Sequence, residues 1–163
     1  MPPLRRCSFA LLPLAAASGA AFAAAPRFGC YERIYSAVET AGDPGQAVRH
    51  MTVRVGRPQI GDPEQGFTAG IDIAVYFFDR KSRWSTGGGC VKKGGALECG
   101  FDGDHGWVIA RAAGDRLRLE IPNYIALGAD EPEGDVNLVK LGGGAHRISI
   151  LQRAAPSACA TKR

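Results

Sequence analysis

The chain reads as an all-β domain, mainly antiparallel. About eight or nine short strands form a meander that closes to a small barrel or folds to a sandwich. Three observations predict this. Twenty-two glycines are spread along the 163 residues and leave little room for helices. Runs of five to ten residues alternate apolar and polar between turn clusters. Four cysteines beyond residue 23 form an even set, the mark of a disulfide framework in a small exported domain.

The elements follow in chain order. Arg5 and Arg6 precede an apolar run from Phe9 to Ala23 that ends in the small residues Ala21 and Ala23. A basic start, an apolar stretch and an A-x-A end describe a secretory signal peptide cut after Ala23. The uncharged stretch from Cys7 to Pro26 is nearly long enough to span a bilayer. Its Ala, Ser, Gly and Pro content makes it a weak anchor, so residues 1–23 are expected to be removed. Residues 24–163 then form a single domain. Between Cys30 and Ala41, Ser36-Ala-Val-Glu39 has the form of a capping box and predicts a short helix or turn ending before Gly42-Asp43-Pro44.

Strands are expected at Met51–Val55, Phe67–Phe78, Trp84–Lys92, Ala96–Phe101, Trp107–Ala112, Arg116–Ile121, Tyr124–Leu127, Val136–Leu141 and Arg147–Leu151. The strongest is Phe67–Phe78, which puts Phe67, Ala69, Ile71, Ile73, Val75 and Phe77 on one face and Tyr76 and Phe78 on the other. Gly114-Asp115 fits a two-residue turn pairing Ala112 with Leu117 and Ala110 with Leu119. Residues 56–66 read as a loop, the acidic run Asp130–Asp135 as solvated surface, and Gly142-Gly-Gly144 as a hairpin tip.

The cysteine pairing follows from the hairpin of Trp84–Lys92 and Ala96–Phe101. With Gly94-Gly95 at its tip, Cys90 falls opposite Cys99 as a non-hydrogen-bonded pair, close enough to bridge. Cys30 and Cys159 remain and pair across nearly the whole domain, which brings the first and last strands together. This favours a barrel.

Setting aside Arg5 and Arg6 leaves 18 of the 20 basic residues against 16 acidic ones, a net charge of +2. A nearly neutral chain argues against nucleic acid or an anionic membrane as partner, and no stable membrane insertion is expected once the signal is cut. No catalytic residue and no cofactor stand out. There is no nucleophile elbow, no H-E-x-x-H and no phosphate-cradling loop before a helix. His50, His105 and His146 share no spacing and read as surface or turn residues. Asp102 and Asp104 are weak metal candidates, two carboxylates on one turn without the third ligand or distal Glu that calcium needs.

Cys30-Tyr31-x-Arg33-x-Tyr35, Pro44-x-Gln46-x-Val48, Cys90…Leu97-x-Cys99 and Asp102-Gly103 together resemble a loosely defined group of small exported proteobacterial proteins. Asp43 and Asp104 stand where that group tends to carry His and Gly. The resemblance implies an exported, cysteine-bearing domain and brings no activity, ligand or site with it.

Three functional readings remain. The first is a periplasmic or secreted binding module for an unknown protein or small molecule. The second is a barrel holding a small apolar ligand, which needs a hollow lumen. The third is an enzyme built on Asp102, Asp104 and His105, which needs those side chains to converge.

Overall fold

The computed structural model describes residues 24–43, 45–58, 66–133 and 136–160. The expected signal peptide, residues 1–23, lies outside them. Among the described residues no helix is long and apolar enough to cross a membrane.

The one α-helix among them, α1 (Ala37–Gly42), starts where the capping box predicts. The Ser36 side chain accepts from the Glu39 amide at 3.2 Å, and the Glu39 carboxylate accepts from the Ser36 amide at 2.8 Å. These bonds hold the Glu39 carboxyl below the usual carboxylate range.

The described strands are β1 (Gly29–Ile34), β2 (Val48–Gly56), β3 (Ala69–Phe77), β4 (Arg83–Lys93), β5 (Ala96–Phe101), β6 (Trp107–Ala113), β7 (Arg116–Glu120), β8 (Ile125–Glu133), β9 (Val136–Leu141) and β10 (Ile148–Ala154). Every pairing is antiparallel, in the order β3-β2-β1-β10-β7-β6-β5-β4. A further β3–β4 pairing closes these eight strands into a barrel. β8 and β9 form an additional hairpin, joined to β4 through Trp84↔Ala129 and Ser85↔Gly128. β8 thus continues the wall along the part of β4 that β5 is too short to reach.

The register of both predicted tight turns holds. Cys90 faces Cys99 and Ala96 faces Lys93 around Gly94 (φ 53°) and Gly95 (φ 78°), the two positive values a two-residue turn of this kind requires. Ala112 faces Leu117 and Ala110 faces Leu119 around Gly114 (φ 69°).

Gly29–Ile34 is a strand beyond those expected, and it pairs with both β2 and β10. Asp130 and Glu131 are exposed, as expected of the acidic run, and Asp135 lies outside the described residues. Asp130 to Glu133 also continue β8, and Asp130 accepts from the Ser85 hydroxyl at 2.7 Å and pairs with Arg83. Two expectations need correction. Phe67 lies outside β3, and its ring packs over Gly89 instead of sharing the inward face of Ile71 and Ile73. Gly142–Gly144 is not a hairpin tip, since β9 and β10 do not pair. It begins the link that carries the chain from the added hairpin to β10, through a 3-10 turn at Gly144–His146.

Side chains from every wall fill the lumen. Met51, Val53, Ile71, Ile73, Val75, Trp84, Val108, Leu117, Leu119 and Leu151 are almost wholly buried in one cluster. An eight-stranded barrel is just wide enough for such side chains. Each contributes about 1.5–3 kcal/mol by leaving water. Cys90 and Cys99 also point inward and bond within this core. Cys30 points outward and ties the turn Pro156–Cys159 against β1 and β2, with a Cα–Cα distance of 5.8 Å.

Candidate functional site

The filled lumen turns attention to the outer wall. On β2, β3, β4 and β5 the residues at one level are all glycine. Gly56 faces Gly70, Gly70 faces Gly89, and Gly89 faces Gly100. Their neighbours Val55, Ala69, Cys90, Cys99 and Phe101 are buried, so strand alternation turns these glycines outward. Four side chains are therefore missing in a row about 14 Å long across the sheet. The next β6 residue in that row is Trp107, opposite Gly100 and 42% exposed.

A groove of about 700 Å³ lies along this row. The Phe67 ring covers part of the floor, its atoms 2.6 Å from where a Cβ on Gly89 would stand. The Arg57 carbonyl covers Gly70, 3.0 Å from the same point there. Gly56 and Gly100 are open, with nothing within 4 Å. Because Gly87 and Gly88 also lack side chains, the groove reaches the core residues Ile71 and Phe101.

Charges on the rim are balanced. Arg54 donates from Nε to Asp72 Oδ2 at 2.9 Å and approaches the same oxygen from its terminal nitrogen at 2.8 Å. Asp72 Oδ1 leans over Gly87, 2.8 Å from a Cβ position there. Exposed Arg57 and Asp102 complete the charged lining with one charge of each sign.

The residues singled out from sequence do not converge. Asp102 and Asp104 are exposed, and their turn is held through backbone. The His105 amide donates to the Asp102 carbonyl at 3.3 Å. The Tyr124 hydroxyl donates to the Asp104 carbonyl at 2.9 Å, and the Ala126 amide to the His105 carbonyl at 2.8 Å. Of this turn Asp102 alone lines the groove. Among the described residues, no three His, Cys, Asp or Glu side chains gather where they could hold a metal ion.

His50 stacks on Tyr76 at 5.5 Å and meets Glu32 at 3.2 Å, so Tyr76 is covered from within the barrel's own wall. Phe78 is 47% exposed. His146 lies in a turn, as expected, yet is buried at one end of the barrel. Burial lowers its pKa, against weaker opposing effects from the Gly45 backbone and Asp43. Among the described residues, Gln46 Oε1, Trp84 Nε1 and His146 Nδ1 are buried without a hydrogen-bond partner.

The glycine row escapes a motif search because its members are distant in sequence. Half of it was within reach. The register that pairs Cys90 with Cys99 continues outward to Gly89 and Gly100.

No family model, curated protein or solved structure matches the chain.

Proposed function

We propose that this protein is an exported binding module and that its ligand surface is the groove on the outer wall of β2–β5. One observation carries the reading: the lumen is filled while a groove of about 700 Å³ stands open on the outside, floored by glycine. Ligand sites are concave, mostly apolar and provided with a few fixed polar groups. Phe67, Phe101 and Ile71 supply the apolar lining, and Arg54, Asp72 and Asp102 the polar groups. Two disulfides and the signal-like start of the chain support export. The filled lumen weighs against a ligand held inside the barrel. Of Asp102, Asp104 and His105 only Asp102 lines the groove, which weighs against catalysis there by the three together.

The test is a backbone amide map of the isotope-labelled protein titrated with four probes: chitotetraose, decaproline, inorganic phosphate and decanoate. At least one probe should move the amides of Arg54–Arg57, Phe67–Asp72, Gly87–Gly89 and Gly100–Asp102 together. The reading falls if none does, or if every responding amide lies on another face.

A further inference from the structure

The groove's chemistry narrows what it can hold. An added β-strand is unsuited to it, because each floor strand is already paired on both sides and has no free edge to offer. Phosphate and other strongly charged ligands find no excess charge. Arg54 is paired with Asp72, and Arg57 is offset by Asp102. The apolar elements are Phe67 and the nearly buried Phe101, with Trp107 next in the row beyond Gly100.

The polar elements decide between the two neutral polymers that use aromatic grooves. Carboxylates accept hydrogen bonds and cannot donate them. Asp72 has one oxygen occupied by Arg54 and the other over the floor, and Asp102 adds two more acceptors. A proline-rich helix offers carbonyl oxygens and few donors, so it leaves these acceptors unmatched. A sugar ring presents an apolar C–H face to an aromatic ring and hydroxyl donors at its edge. A chain of such rings also suits a row that runs across four strands.

We infer that the groove binds a neutral glycan chain, stacked along Phe67 toward Trp107 and hydrogen-bonded by its hydroxyls to Asp72 and Asp102. This rests on the groove being the ligand surface.

Tryptophan emission reads the outcome directly. Of the two tryptophans, Trp84 is fully buried and Trp107 is 42% exposed. Chitotetraose or cellotetraose should shift Trp107 emission saturably and bind about tenfold more tightly than its disaccharide. Gly100→Leu has room for its side chain, so it should keep the wild-type circular dichroism and melt no lower than the wild type while weakening the tetrasaccharide at least about tenfold. Asp72→Asn should weaken it as well. Tetrasaccharide binding that survives Gly100→Leu unchanged overturns the glycan assignment. So does decaproline occupying the groove amides while both tetrasaccharides leave them still, although the groove then remains the ligand surface. If no probe moves those amides, both conclusions fall.

Discussion

The two halves of the barrel wall are built to different rules. Strands β2–β5 carry six glycines, Gly56, Gly70, Gly87, Gly88, Gly89 and Gly100. Strands β6, β7 and β10 carry none, and the outer faces of β6 and β7 hold Arg111, Arg118 and Glu120 in mutual ion pairs. A glycine inside a strand costs about 0.5–1 kcal/mol relative to alanine, because more backbone freedom is lost on folding. The glycine-bearing half is therefore the weaker sheet. It holds one of the two covalent ties. Cys90–Cys99 joins β4 to β5, while Cys30–Cys159 anchors the C-terminal turn on β1, beside β2. A surface open at Gly56 and Gly100 has been made by leaving out side chains, and the Cys90–Cys99 cross-link lies directly beside it.

The largest effect should come from cutting the longer tie. Cys30–Cys159 spans 129 residues, and the chain-entropy relation assigns such a loop about 5 kcal/mol. Cys90–Cys99 spans 9 and is assigned about 3 kcal/mol. Replacing Cys30 and Cys159 by alanine should thus remove much of the 5–15 kcal/mol or so that holds a typical domain together. Urea unfolding of the two paired-alanine variants measures both. A smaller loss from the long-range pair would mean that closing the barrel ends depends on β1–β10 pairing instead.

Within the weaker half, glycines should divide by what lies over them. A Cβ on Gly88 would press into the Gly100 carbonyl oxygen, so backbone must move to admit it. Gly88→Ala should cost about 2 kcal/mol by overpacking. Gly100 faces open space, and Gly100→Val should stabilise the protein by about 0.5 kcal/mol through its better fit to a strand. Thermal melts of the two variants should move in opposite directions. A clear loss for Gly100→Val would show that the bare row serves packing and not an exposed surface.

How much of this contrast could be read from the sequence depends on distance along the chain. Tight turns declare their own register, so the Cys90–Cys99 and Ala112–Leu117 pairs could be derived from Gly94-Gly95 and Gly114-Asp115. β3 was plain because its inward face is apolar throughout and its outward face is not. β1 was hidden because both of its faces are covered. Tyr31 packs into the lumen and Cys30 lies under the C-terminal turn, which erases the alternation. Asp130 does face solvent, but its bonds to Arg83 and Ser85 were hidden because those partners come from a distant strand. The groove was hidden for the same reason. Gly56 and Gly70 become neighbours of Gly89 only through the pairing of β2, β3 and β4, which no local turn announces.

A smaller effect should separate the end of the barrel from both walls. Burial disfavours the imidazolium of His146, so its pKa in the folded protein lies below the ordinary 6.5. The unfolded chain takes up a proton there at higher pH than the folded one does. Stability must then fall as pH drops below about 6.5, and the loss is complete once the folded-state value is passed. His146→Gln has no such proton to gain, so its stability should decline less between about pH 7 and about pH 5. Denaturant titrations at several pH values give the two slopes. His146 lies at the barrel end and not in the glycine row, and separate sites contribute additively. The same difference in slope should therefore appear when Gly100→Val is added to each protein. A changed difference would couple the buried histidine to the groove wall, and the two regions could no longer be treated as independent.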